Sequence, residues 1–282
     1  MSAEELRELL NLPLELAVSV LSRSLLSGGI QTRKPRGGET FLVTREYRFG
    51  DPLRTIDFRG SARRNRWLVR ERERYSTLRL ALWLDTTPSM VYTPPVTKFD
   101  LLKLFAGVVG AKALSRNHQV YLIGSRGDIF SFYTPIQVPL FLDRISALQA
   151  NEEWMDGSSF PASLDLVILI SDFMDPAQLH LLEKYLRTFD PARVELRFLQ
   201  ILHPDEVDFG FPRDRVFLFS DLEASSLKRK IQPASARDSY LQRVEEHWQR
   251  VKTLAQRYSA RFWRWVLLRD DAVTALRFLF FG

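Results

Sequence analysis

The spacing of apolar positions changes character twice along the chain. Leu6, Leu9, Leu10, Leu14, Leu16, Val18, Leu21 and Leu25 recur at three-to-four spacing, interrupted at Pro13 and ended by Gly28 and Gly29, which predicts a helical arm over 3–26. After a Gly, Pro and basic linker at 27–38, Phe41, Val43, Tyr47 and Phe49 alternate, predicting β-structure over 40–49. A further strand is expected from Trp67 toward Tyr75, with Arg and Glu alternating along it. From Leu78 onward, apolar runs of strand length alternate with helical stripes. Strands are predicted at 78–84, 119–124, 129–133, 166–171, 194–202, 216–219 and 261–268, and helices at 99–114, 138–149, 177–189, 239–258 and 272–278. That alternation is the signature of an α/β fold with a mostly parallel sheet and helices on both faces. Gly127-Asp128 between two short strands predicts a hairpin, and so one antiparallel edge. The expected division is a smaller N-terminal helical and β-rich segment, 1–76, followed by the α/β domain, 77–282.

Composition narrows the chemistry. A chain of 282 residues, 45% hydrophobic and 26% charged, with 14 prolines and 13 glycines, can bury a proper core and is neither collagen-like nor disordered. The absence of cysteine excludes a disulfide framework, a thiolate zinc site, an iron–sulfur cluster and a cysteine nucleophile. Four histidines, none at i, i+4 spacing, argue against a histidine-built metal or acid–base centre. The N-terminus is acidic at Glu4 and Glu5 where a secretion signal would be basic, and the longest apolar runs, such as 164–170, are of strand length. The expectation is a soluble cytoplasmic protein with no membrane span.

Charge is uneven. Residues 33–77 hold 13 Lys and Arg against 6 Asp and Glu, a larger excess than the +6 of the whole chain. Arginine outnumbers lysine 32 to 8, which favours fixed bidentate pairs with carboxylates or phosphates.

The candidate chemistry lies where strands end. The run 78–84 stops at Asp85-Thr86-Thr87-Pro88-Ser89-Met90, so a carboxylate and two hydroxyls stand at alternate positions beyond a buried strand. In open α/β sheets ligands bind at that edge. The run 166–171 ends the same way in Asp172-Phe173-Met174-Asp175. If the two strands are neighbours, Asp172 faces the same crevice as Asp85, and the hard-oxygen set suits Mg²⁺ or Mn²⁺. The plain alternative is a helix-capping turn, with Ser89 and Asp172 satisfying backbone N–H groups.

This layout resembles the metal-ion-dependent adhesion site of von Willebrand factor A domains, whose first loop reads Asp-x-Ser-x-Ser and whose third loop supplies an aspartate. Asp85, Thr87, Ser89 and Asp172 match, with threonine at the middle position. The threonine of the second loop has no clear counterpart. Either Ser159, in Asp156-Gly-Ser158-Ser159-Phe160, replaces it in a shortened loop, or that contact is missing.

A second resemblance is more specific. Gly38-Glu-Thr-Phe41, Arg45-Glu-Tyr47, Gly50-Asp51, Arg54, Ile56-Asp57-Phe58 and Ser61-Ala62-Arg63 are similar to the hallmark stretch of the domain-of-unknown-function 58 (DUF58) family, with Phe58 in place of the common tryptophan. Asp221-Leu-Glu223 and a long late helix with Tyr240 and His247 also fit. The resemblance implies a von Willebrand A-like, Rossmann-type domain acting as a non-enzymatic interaction module. It further implies a MoxR-type AAA+ ATPase, or that ATPase's client, as partner in protein assembly or maturation. The chain has no Gly-x-x-x-x-Gly-Lys-Ser/Thr motif of its own, so ATP hydrolysis would belong to another subunit.

Arg45, Arg54 and Arg63 have Glu46, Asp51 and Asp57 available as partners, which reads as an internal charge lattice; surplus arginines Arg63, Arg64 and Arg66 read instead as a recognition surface. Trp67 beside them reads as core. Nucleic-acid binding through 59–74 is the weaker alternative, because Glu71 and Glu73 interrupt the basic run. A metal-dependent hydrolase is a third. Its available base, His203 in Leu202-His-Pro-Asp205, sits where a loop-ordering histidine would.

Overall fold

A computed structural model describes residues 3–24, 30, 32, 40–49, 51, 56–74, 77–92, 96–150, 160–161, 163–212, 214–220 and 228–281. Contacts divide the chain into two units, 1–34 with 78–282, and 35–77.

In the larger unit, two short helices, α1 (Ala3–Leu10) and α2 (Leu14–Ser24), form the expected arm, divided at Pro13, whose ring cannot continue a helix. The small unit follows with β1 (Thr40–Glu46), α3 (Phe58–Arg64) and β2 (Leu68–Arg74), and the larger unit then resumes with its remaining elements. They are β3 (Arg79–Leu84), α4 (Lys98–Leu114), β4 (Gln119–Ile123), β5 (Ile129–Phe132), α5 (Val138–Ser146), β6 (Leu166–Ser171), α6 (Pro176–Leu186), β7 (Glu195–Leu202), α7 (Pro204–Asp208), β8 (Phe217–Ser220), β9 (Lys228–Ile231), α8 (Pro233–Arg257), β10 (Arg261–Val266) and α9 (Ala272–Phe281).

Six strands make one sheet in the order β10-β7-β6-β3-β4-β5, parallel except for β5, which turns back on β4 as the Gly127-Asp128 hairpin predicts. Gly127 itself has φ 80°, the left-handed region a tight turn demands. Alternate strand residues feed opposite faces. Leu80, Leu82, Leu84, Ile168 and Ile170 pack with α4, α9 and the arm, while Ala81, Trp83, Val167 and Leu169 pack with α6 and α8. Both faces are covered, as the α/β pattern requires.

The arm does not group with the arginine-rich segment, contrary to the expected 1–76 division. Leu6, Leu9, Val18 and Leu21 are buried in the same cluster as α4, because an amphipathic helix this short gains stability only by packing its apolar face. Gly107 permits the approach: a Cβ there would stand 2.8 Å from Val18 Cγ2. The strand expected at 216–219 also departs from the pattern. It lies outside the main sheet as β8, paired antiparallel with β9. Lys228, Arg229 and Lys230 in that partner strand could not be buried on two faces. Sequence periodicity missed α3 and α7, which are too short to show it.

The small unit pairs β1 with β2 antiparallel, from Thr40 opposite Arg74 to Glu46 opposite Leu68. Between them, Asp57 caps α3 by accepting from Gly60 N at 3.1 Å.

Candidate functional site at the carboxyl edge of the sheet

The adjacent parallel strands β3 and β6 end side by side, and Asp85 N still donates to Ile170 O at 3.0 Å. Asp85 and Asp172 therefore leave the sheet at the same edge, both 0% exposed. Asp85 Oδ1 accepts from Thr87 N at 3.0 Å and Thr87 Oγ1 at 2.7 Å, and its Oδ2 accepts from Ser171 Oγ at 2.5 Å. Thr87 Oγ1 lies 3.0 Å from Ser89 Oγ. A reciprocal pair joins the loop to the end of β4: Thr86 N donates to Ser125 Oγ and Ser125 N to Thr86 Oγ1. Asp85, Thr87, Ser89 and Asp172 are thus brought into one neighbourhood. Ser159, with Ser158, falls outside the described residues, as do Asp221 and Glu223.

The feature sequence reasoning missed is Lys98. It is the first residue of α4, held by a capping box in which Thr97 and Asp100 exchange side-chain and backbone hydrogen bonds. Its ammonium is fully buried and donates to Asp172 Oδ2 at 2.7 Å and Glu206 Oε1 at 2.5 Å. Asp172 Oδ1 accepts from Met174 N, and Glu206 Oε2 from His203 N. Burial would strip the Lys98 proton, but the charges of Asp172 and Glu206 outweigh it and hold the ammonium charged. Glu206 is pushed up by burial against the pull of Lys98. Asp85 has no such cation at hydrogen-bond distance; burial, then the charge of Asp172, push its carboxyl up to about 6.

The loop carrying Asp172 is clamped. Phe173 adopts φ 52°, costly for a bulky side chain, and is fixed by Phe173 N donating to Ser171 Oγ and by His247 Nε2 at 2.5 Å from Phe173 O. Gln200 Nε2 donates to Asp172 O at 2.8 Å. Tyr240 OH reaches Glu206 O, so α8 braces both loops. His203 accepts from Asp205 N and caps α7, an ordering role; burial lowers its pKa.

These residues do not fit a resident divalent ion. Each oxygen of the Asp85 and Asp172 carboxylates already accepts a hydrogen bond, and one faces an ammonium. An added cation about 4 Å from that ammonium would meet repulsion of about 4 kcal/mol per elementary charge at an effective dielectric of about 20. Among the described residues, no group of three or more His, Cys, Asp or Glu could hold a metal. Mg²⁺ or Mn²⁺ was expected at Asp85, Thr87, Ser89 and Asp172; in the structure the buried cation beside Asp172 is the Lys98 ammonium.

In the small unit, Arg45 grips Asp51 with both terminal nitrogens, at 2.7 and 2.8 Å. The Arg45 hydrogen bond, then the Arg48 N–H, pull the Asp51 carboxyl down to about 2. Asp57 caps α3, accepting from Gly60 N. Arg54 lies outside the described residues. Arg63 is exposed, with no acidic partner among the described residues. The described ion pairs of this unit include Arg45–Asp51, from the expected lattice, and an exposed Arg66–Glu46 pair. Trp67, expected in a core, is 61% exposed.

Residues 43–138 match the family model described as Protein of unknown function DUF58. The match supports the DUF58 family. It spans the arginine-rich unit from Val43 onward, the Asp85–Ser89 turn and Lys98, and ends before Asp172. No curated protein matches the chain.

Proposed function

We propose that this chain is a non-enzymatic protein-interaction module, working in the cytoplasm beside a MoxR-type AAA+ ATPase in the assembly or maturation of a client protein. The observation that carries the reading is the closure of the sheet-edge cluster. Asp85, Asp172 and Glu206 have their oxygens engaged, and Lys98 neutralises the centre from within. A hydrolase would need a base free to take a proton, and the two nearby histidines are committed, His203 to capping α7 and His247 to the Phe173 carbonyl. The cluster instead acts as an internal brace joining β3, β6, α4 and α7. Such a brace keeps the surrounding loops rigid for contact with another protein.

The metal-dependent form of adhesion is not part of this proposal. Partner binding is expected to be independent of Mg²⁺ and Mn²⁺. Among the described residues no helix is long and apolar enough to cross a membrane. The test is calorimetric titration of the purified chain into the purified MoxR-type ATPase of the same cell, with and without chelator. Saturable heat in both conditions is expected, and no heat at tens of micromolar would sink the reading.

A further inference from the structure

The arginine-rich unit holds two large aromatic side chains away from any core. Phe58 opens α3 and Trp67 closes the turn after it; they are 65% and 61% exposed, and their rings meet edge to face 6.4 Å apart. Both stand on ordered backbone. Asp57 N donates to Leu68 O at 2.7 Å, Leu68 N to Ser61 Oγ at 2.9 Å, and Tyr47 N to Trp67 O at 2.8 Å. The pair is therefore presented in one geometry, which lowers the ordering cost of binding. Leaving such side chains in water forgoes about 1.5–3 kcal/mol each, and exposed apolar groups of this kind mark interaction sites when they cluster.

Arg59, Arg63 and Arg64 lie exposed on the same helix, with no acidic partner among the described residues. Three acids of the unit are engaged in the described contacts: Asp51 by Arg45, Glu46 by Arg66, and Asp57 by the α3 cap. Residues 35–77 contain 11 arginines against 6 acids, a net +5 in a chain whose total is +6. Tryptophan and arginine are the side chains that most often dominate a protein interface once a partner desolvates them.

We propose that Phe58, Trp67, Arg59, Arg63 and Arg64 form a docking surface for an acidic face of a partner protein. This rests on the reading of the chain as an interaction module and names the surface it uses. The partner supplies carboxylates to the three guanidinium groups and an apolar side chain to the ring pair. Nucleic acid is the competing polyanion, and the geometry disfavours it. Edge-to-face rings offer no two parallel platforms for successive bases, and in the sequence Glu71 and Glu73 interrupt the basic run.

The experiment compares wild type, an Arg59→Glu/Arg63→Glu double variant, Trp67→Ala, and the control Arg250→Glu on exposed α8, each titrated into the ATPase. Binding about tenfold weaker or worse in the first two variants, with the control unchanged and wild-type affinity falling as salt rises, is the expected result. Failure of wild type to bind removes the interaction reading and this surface with it. Wild-type binding with both variants equally tight overturns the surface alone. Equal weakening by Arg250→Glu reveals generic attraction and also overturns it. So does a labelled single-stranded oligonucleotide held more tightly than the ATPase and released by the same variants. Far-UV circular dichroism checks each variant's fold; if the double variant misfolds, Trp67→Ala alone decides.

Discussion

Lys98 is 0% exposed and touches two carboxylates; Arg63, on a helix of the other unit, is exposed and touches none among the described residues. The two regions carry the same kinds of side chain under opposite conditions. At the sheet edge, burial makes every unpaired charge expensive, so acids, hydroxyls and ammonium are driven into mutual satisfaction. On α3, water screens each guanidinium, so nothing compels pairing, and the charge stays available to a partner. The residues that look most like a functional site by type are those the fold has used internally. The exposed arginines of α3 have no acidic partner among the described residues.

The largest expected effect tests the closed half of that contrast. Lys98→Met removes the ammonium and strands Asp172 and Glu206 together in a buried space, which should cost about 3–5 kcal/mol, seen as a lower urea midpoint at unchanged slope. A loss below about 1 kcal/mol would mean the cluster is open to water. In Lys98→Ala, Mn²⁺ should raise the melting temperature, because carboxylates without their internal cation gain from an added one. The wild type should show no Mn²⁺ shift, and a shift there would restore the metal reading.

Next in size is a pH effect at Asp85. Its carboxyl, about 6 in the folded protein against 3.8 ordinarily, binds a proton more tightly when folded. Its stabilising contribution is therefore fully present below about pH 4 and is lost as pH rises through about 6, a swing of about 3 kcal/mol at most. Stability curves of wild type and Asp85→Asn between pH 4.5 and 7 should diverge in that sense, wild type losing ground on the basic side. Parallel curves would show that Asp85 is not buried beside a second charge.

Smaller still, Gln200→Ala leaves the Asp172 carbonyl without its side-chain donor and should cost about 1–3 kcal/mol by denaturant titration. At the bottom of the scale, Arg63→Ala should change stability by no more than about 0.5 kcal/mol while weakening partner binding. A larger destabilisation would place Arg63 inside a lattice and erase the difference between the two regions.

Much of the architecture was legible because it depends on period. The runs at 78–84 and 166–171 are apolar at every position but Arg79 and Ser171, a density that suits a strand covered on both faces, and both became central strands. The Gly127-Asp128 hairpin was legible because a turn needs φ > 0 there. The strand at 216–219 was misplaced because four apolar-rich residues look alike in a central sheet or a peripheral hairpin. At the site, the aspartates were legible from strand ends. Lys98 was not, because a lysine opening a helix is ordinarily solvated and nothing local reports that its side chain turns inward toward Asp172, 74 residues away.

By itself the sequence determined the alternation of strand and helix, the acidic and hydroxyl side chains waiting at two strand ends, and the concentration of arginine in one segment. These follow from local periodicity and composition, which are written residue by residue. Only the tertiary structure decided that β3 and β6 are neighbours, that Lys98 and Glu206 close over Asp172, and that Phe58 and Trp67 face outward. Pairing and burial arise from residues far apart in the chain, and the balance between desolvation and charge that fixes each group's role exists only once they meet.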